Sequence, residues 1–123
     1  MKNIEDIFEI LDGVLPTGAT KTVMFCEVEN KSYEIFYYSY FTDKSCKQCY
    51  ELETEGKMDA SILEKGFEKI ALFVRDSKEY DAEMRNVVTI TIDGIAEDVK
   101  VDQFEKNVGL YKIKKEWKAN NLK

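Results

Sequence analysis

Cys46-Lys47-Gln48-Cys49 is the one stretch of this chain whose residue types and spacing match a known chemistry. A CxxC pair works as a dithiol when its first thiolate sits at a helix N-terminus, where the thiol pKa falls. Here the pair lies in a turn-to-strand segment ahead of Tyr50-Glu51-Leu52-Glu53, without the βαβ surroundings of a redox domain. A zinc site would need four ligands, and only Cys26 remains to join the pair. Cys46 and Cys49 therefore read as two ordinary thiols near a loop.

Other chemistry is harder still to assemble. The chain has no histidine, which removes the commonest general base near neutral pH and every Ser-His or Cys-His nucleophile pair. Its six glycines, Gly13, Gly18, Gly56, Gly66, Gly94 and Gly109, are scattered and form no phosphate-cradling loop. Carboxylates remain, but with 24 acidic residues close pairs arise by chance, and none sits in a catalytic signature. No catalytic residue, metal or cofactor is expected, and the chain reads as a binder instead of an enzyme.

The residues that best suit binding are aromatic. Tyr33 to Phe41 holds six aromatics among nine residues, and strand alternation offers them to both faces of a sheet. One face carries Glu34, Phe36, Tyr38 and Tyr40 beside Val23, Phe25, Glu27 and Glu29 of the preceding strand. Apolar rings edged with carboxylates suit a basic protein partner, the rings anchoring and the acids steering. Two outcomes are open: this face meets solvent as a docking patch, or the first and last helices cover it and make it core. The clusters Glu51, Glu53 and Glu55, then Glu79, Asp81 and Glu83, then Glu97 with Asp98, read as solvated surface.

The elements that must position these residues follow from periodicity. Ile4, Ile7, Phe8, Leu11, Val14 and Leu15 recur at three- and four-residue spacing, which predicts a helix from about Ile4 to Leu15 that Pro16 and Gly18 stop. Alternation predicts strands over about Thr20 to Glu29 and Ser32 to Thr42, joined by a turn at Asn30-Lys31, and a third strand is expected over about Cys46 to Glu53. The apolar stripe Ile62, Leu63, Phe67, Ile70, Ala71, Phe73 and Val74 predicts a helix from about Ala60 to Ser77, capped by Asp59 or Ser61. Val87 to Ile92 and Ile95 to Val101 form a hairpin about Asp93-Gly94, and a last helix begins near Asp102, with Gly109 a possible break. The expected fold is thus a single α+β domain over residues 1-123, in the order α-β-β-β-α-β-β-α. Its mainly antiparallel sheet of about five strands carries helices packed on it.

Composition narrows the partner. Eighteen Lys and Arg face 24 Asp and Glu, a net charge of -6. That field repels nucleic acid and anionic lipid and attracts basic surfaces. No apolar run approaches the roughly 20 residues of a membrane span, and the charged N-terminus resembles neither a signal nor a transit peptide. Three cysteines, an odd number, suit a reducing cytoplasm better than a disulfide framework.

Three stretches resemble the YezG-like immunity protein family, antitoxins of secreted bacterial nuclease toxins. The first is the N-terminal helix ending in Leu15-Pro16, followed by the strand with Lys21 and an apolar-Glu27 pattern. The second is Ser32-Tyr33-Glu34-Ile35-Phe36-Tyr37-Tyr38. The third is the helix opening at Met58-Asp59-Ala60-Ser61 and running through Phe67 and Leu72. The resemblance implies a cytoplasmic protein that binds a cognate, basic toxin domain and neutralises it stoichiometrically, its acids standing in for phosphates. Phe25, Glu27, Glu34, Phe36, Tyr38, Tyr40 and Asp43 are the contact candidates on that reading. The alternative is a homo-oligomeric or adaptor module whose aromatic strand pairs with itself or with a scaffold.

Overall fold

The aromatic hairpin lies at the heart of the sheet, with its first strand in the central position. The computed structural model describes residues 2–122. Strand β1 (Ala19–Val28) pairs antiparallel with β2 (Tyr33–Phe41) on one side and with β4 (Arg85–Asp93) on the other. The short β3 (Cys46–Gln48) extends the sheet beyond β2, and β5 (Ala96–Phe104) extends it beyond β4. The result is a five-stranded antiparallel sheet in the order β3-β2-β1-β4-β5 with helices packed on it, the α+β architecture that the sequence predicts.

Alternation sorts the two faces. Met24, Cys26, Val28, Ile35, Tyr37, Val88 and Ile90 are buried on one face, beneath the N-terminal segment and helix α2, taken after α1 (Cys49–Thr54) and spanning Ala60–Asp76. Tyr37 joins the layers there. Its ring meets Phe67 of α2 edge-on, and its hydroxyl donates to the Val14 carbonyl at 2.8 Å. The opposite face carries α3 (Leu110–Asn121), whose Ile113 and Trp117 are buried against it. Trp117 packs edge-on against Phe25 and Phe36 and donates its indole N–H to Thr89 at 2.8 Å, so the indole loses no hydrogen bond on leaving water.

Four elements depart from expectation for identifiable reasons. The N-terminal apolar pattern is not an α-helix. It forms a 3-10 helix over Ile4–Ile10, and the left-handed Gly13 then reverses the chain. The threefold spacing of Ile4 and Ile7 stacks them on one 3-10 edge, and Val14 follows in a turn. Val14 seats directly on Gly66 of α2, where an added Cβ would overlap a Val14 methyl group. The β4–β5 loop is Gly94-Ile95, one residue later than the Asp93-Gly94 signal. This register pairs Val88 with Val101 and Ile90 with Val99, while Gly94 supplies the positive φ. β5 then runs on to Phe104, so the last helix starts at Leu110 with Gly109 as its N-cap and not as a break inside it. The fourth departure, at β3, decides where the candidate site lies.

Candidate functional site

The face expected to present the aromatic patch is largely interior. Phe25 and Phe36 stack on each other at 4.9 Å beneath Trp117, and Glu27 beside them is only 2% exposed. The last helix covers this face, so Phe25, Glu27 and Phe36 are core side chains that a docked protein does not reach. The correction has a simple cause. Two large apolar rings side by side on one face are worth about 1.5–3 kcal/mol each when buried, and α3 carries the one tryptophan able to cap both.

The remaining candidates fall at two ends of β2. Tyr38 and Tyr40 are half-buried, Tyr38 edge-on to Phe36 and Tyr40 beneath the Lys21 ammonium at 5.8 Å. Asp43 lies in the exposed turn after β2, where hydrogen bonds from the Ser45 hydroxyl and backbone N–H hold its carboxyl below the usual range. Glu34 is at the opposite end and pairs with Lys114 of α3. The structure therefore brings Tyr38, Tyr40 and Asp43 to one side of the α3 cover and leaves Glu34 on the other.

Glu34 lies on the rim of a groove that the sequence reading does not contain. The strand expected over Cys46 to Glu53 ends at Gln48, and the chain turns helical at Cys49. Alternation there would put Cys49 and Leu52 on opposite faces, whereas helical spacing buries them together. The Glu51 carboxylate accepts from the Gln48 N–H at 3.0 Å, and the left-handed Gly56 follows the helix end. β3 therefore pairs only with Tyr38–Tyr40. Extending that register would have set Glu53 opposite Tyr33 and sealed the β2 edge. Instead the Tyr33–Phe36 half of β2 has no outer strand partner among the described residues.

A groove of about 360 Å³ occupies this opening, walled by Tyr33, Glu34 and Ile35 of β2, Tyr50 and Glu53 of α1, and Leu63, Glu64 and Phe67 of α2. Its floor is apolar, because Ile35, Leu63 and Phe67 are buried core residues. Tyr33 and Tyr50 are the exposed rings at its mouth, and the Tyr50 hydroxyl donates to the Ile35 carbonyl at 3.1 Å, satisfying one acceptor on the open edge. The α2 N-cap is Asp59, whose carboxylate accepts from Ser61 and Ile62. Ser61, the other cap candidate, lies inside the helix, and Glu64 stays exposed at the groove. Among the described residues neither Glu53 nor Glu64 has an ion-pair partner, while Lys114 holds Glu34. Burial, the Cys49 thiol and the nearby Glu34 and Glu53 push the Tyr50 phenol up to about 12, so it remains a neutral donor across the physiological range.

The arrangement offers rings, carboxylates and a hydroxyl, but no activated nucleophile. Cys49 opens α1, yet burial outweighs the hydrogen bonds that favour its thiolate and pushes the thiol up to about 11. Cys46 is exposed in β3, and all three cysteines are free. Among the described residues no group of three or more Cys, Asp or Glu side chains is placed to hold a metal ion, and no helix is long and apolar enough to cross a membrane. Sequence reasoning missed Tyr33, Tyr50, Glu53 and Glu64. The available signal was the three-residue spacing of Cys49 and Leu52, followed by Gly56. No family model matches this chain, and no curated protein matches it by sequence.

Proposed function

We propose that this chain is a cytoplasmic immunity protein that binds a cognate basic toxin, a nuclease domain, and neutralises it stoichiometrically. The observation that supports this reading is the concave, tyrosine-lined groove with two uncompensated carboxylates on a chain of net charge -6. Such a groove complements a protruding basic segment, and the surrounding field speeds its approach. Two stretches that resemble the YezG-like immunity family, Ser32–Tyr38 and Met58–Ser61, contribute Tyr33, Glu34, Ile35 and Ala60 to the groove wall. Three free cysteines fit a reducing compartment.

The test is co-expression with any basic secreted-toxin domain encoded beside this gene. The expected outcome is a one-to-one complex with the domain's nuclease activity suppressed. Free nuclease activity in an equimolar mixture, with both proteins folded, refutes the reading. The second reading, self-association, has its own observation. The outer surface of α3 carries Lys112, Lys115 and the exposed Tyr111, complementary in charge to Glu53 and Glu64. Light scattering that finds a stable dimer, lost in the Lys112→Glu/Lys115→Glu variant, favours that reading instead.

A further inference from the structure

We infer that the groove between β2, α1 and α2 is a receptor for an arginine side chain, presented on an exposed segment of the partner protein. The inference rests on the reading of this chain as a binder of a basic protein, and it specifies which chemical group enters the site.

Shape comes first. The groove is the gap left by the missing outer strand, open at its mouth and floored by Ile35, Leu63 and Phe67. A side chain entering it needs an apolar stem to lie on that floor and a polar head at the mouth. Arginine and lysine both have such stems, and neutral polar side chains are shorter. Charge comes next. Glu53 stands on α1 and Glu64 on α2, on different walls, and neither has a cationic partner among the described residues. An added cation is therefore attracted without breaking an existing ion pair. Glu34, the third carboxylate, already holds the Lys114 ammonium. Lys114 shows that this rim accepts a nitrogen cation, and it also leaves the two free acceptors to the newcomer.

The head group is decided by how the acceptors are spread. Lysine brings a compact, strongly hydrated charge best served at one point. A guanidinium is planar, less strongly hydrated and carries five N–H donors around its edge, so it can serve acceptors on two walls. Tyr33 and Tyr50, 38% and 44% exposed, present the aromatic surface on which such a plane stacks. Two walls of carboxylate with two rings at the mouth favour arginine over lysine.

The experiment uses the intact chain and three blocked peptides, Gly-Arg-Gly-Arg-Gly and its lysine and citrulline counterparts, titrated at low ionic strength and followed by backbone amide NMR. The expected result is a set of shifts confined to Tyr33, Ile35, Tyr50, Glu53 and Glu64. The arginine peptide binds several-fold more tightly than the lysine one, and the citrulline peptide does not bind. In the Glu53→Gln/Glu64→Gln variant, arginine-peptide affinity falls by about tenfold or more. Glu64 is exposed and Glu53 half-buried, and the emission of the buried Trp117 confirms that the variant is folded. Equal affinity for the arginine and lysine peptides overturns the inference, as do shifts at the Tyr38–Asp43 end of β2. Groove shifts that follow protein concentration and ignore the peptides also overturn it, because the occupant is then a second copy of the chain. None of these failures touches the stoichiometric toxin test, which judges the wider reading separately.

Discussion

Glu27 is a carboxyl group enclosed by the fold, and its titration makes the structure testable by pH. The side chain is 2% exposed, and its Oε2 has no hydrogen-bond partner among the described residues. Burial is the largest influence and disfavours the charged form, as do the neighbouring Glu29 and Glu34. Arg85 opposes them from 3.9 Å, but its guanidinium lies closer to Glu29, at 3.1 Å. The net effect raises the Glu27 carboxyl from 4.5 to about 7. The folded chain therefore holds this proton more tightly than the unfolded chain. Its stabilising contribution is complete below pH 4.5 and is lost as pH rises through about 7. The rise corresponds to roughly 3 kcal/mol of stability lost across that window. Glu27→Gln keeps the shape and removes the titration. In urea unfolding followed by Trp117 emission, the variant should match the parent within about 1 kcal/mol near pH 5 and exceed it by about 2–3 kcal/mol near pH 9. If the parent is the more stable protein near pH 9, Arg85 satisfies an ionised Glu27 and the reasoning from burial is wrong. A pH-independent difference between the two also defeats it.

Gly66→Ala should destabilise the chain, although helix propensity alone favours alanine by about 1 kcal/mol. Overlap with Val14 costs about 1–3 kcal/mol, so a net loss near 1 kcal/mol is expected, and it should shrink or reverse in a Val14→Ala background. Titrating the native protein with a thiol reagent at neutral pH should label Cys46 promptly. Cys26 and Cys49, both buried, should react only after denaturant is added.

Much of the fold was legible because its signals were local and repeated. The β1–β2 hairpin is fixed by alternation over nearly twenty residues, and α2 by a stripe that only one helical face can carry. Ile4, Ile7, Leu11 and Val14 follow an α spacing in sequence, but only Ile4 and Ile7 lie within the 3-10 helix and Val14 follows in a turn. Contact with Gly66, distant in sequence, accompanies the tighter form. Among the contact candidates, Phe25, Glu27 and Phe36 are core for a related reason. The sequence shows that Phe25 and Phe36 share a face, but whether that face meets water depends on where the last helix lands. Trp117 decides it, because its ring needs apolar neighbours and its N–H needs an acceptor, and Thr89 between β1 and β5 supplies the acceptor.

The groove itself follows from a competition that alternation cannot see. The sequence reading expects a strand over Cys46 to Glu53, yet only its first three residues pair. Continuing the strand would have gained edge hydrogen bonds for Tyr33 and Ile35 but left Leu52 facing the wrong way or Cys49 in water, since the two stand at odd separation. Helix α1 buries both. The edge it abandons is partly repaired by the Tyr50 hydroxyl on Ile35 and is otherwise left open beside Glu53. A groove can thus arise where local burial prevails over sheet completion. In this chain the uncompensated carboxylates stand on the two helices that frame the gap. If a partner enters here, replacing Leu52 by a residue indifferent to burial should let β3 lengthen and close the groove. Leu52→Thr is the substitution to make. Loss of arginine-peptide binding with Glu53 and Glu64 both intact is the expected result, with a longer β3 visible in cross-strand amide contacts. An unchanged groove in the folded variant would show that Leu52 burial does not hold the edge open.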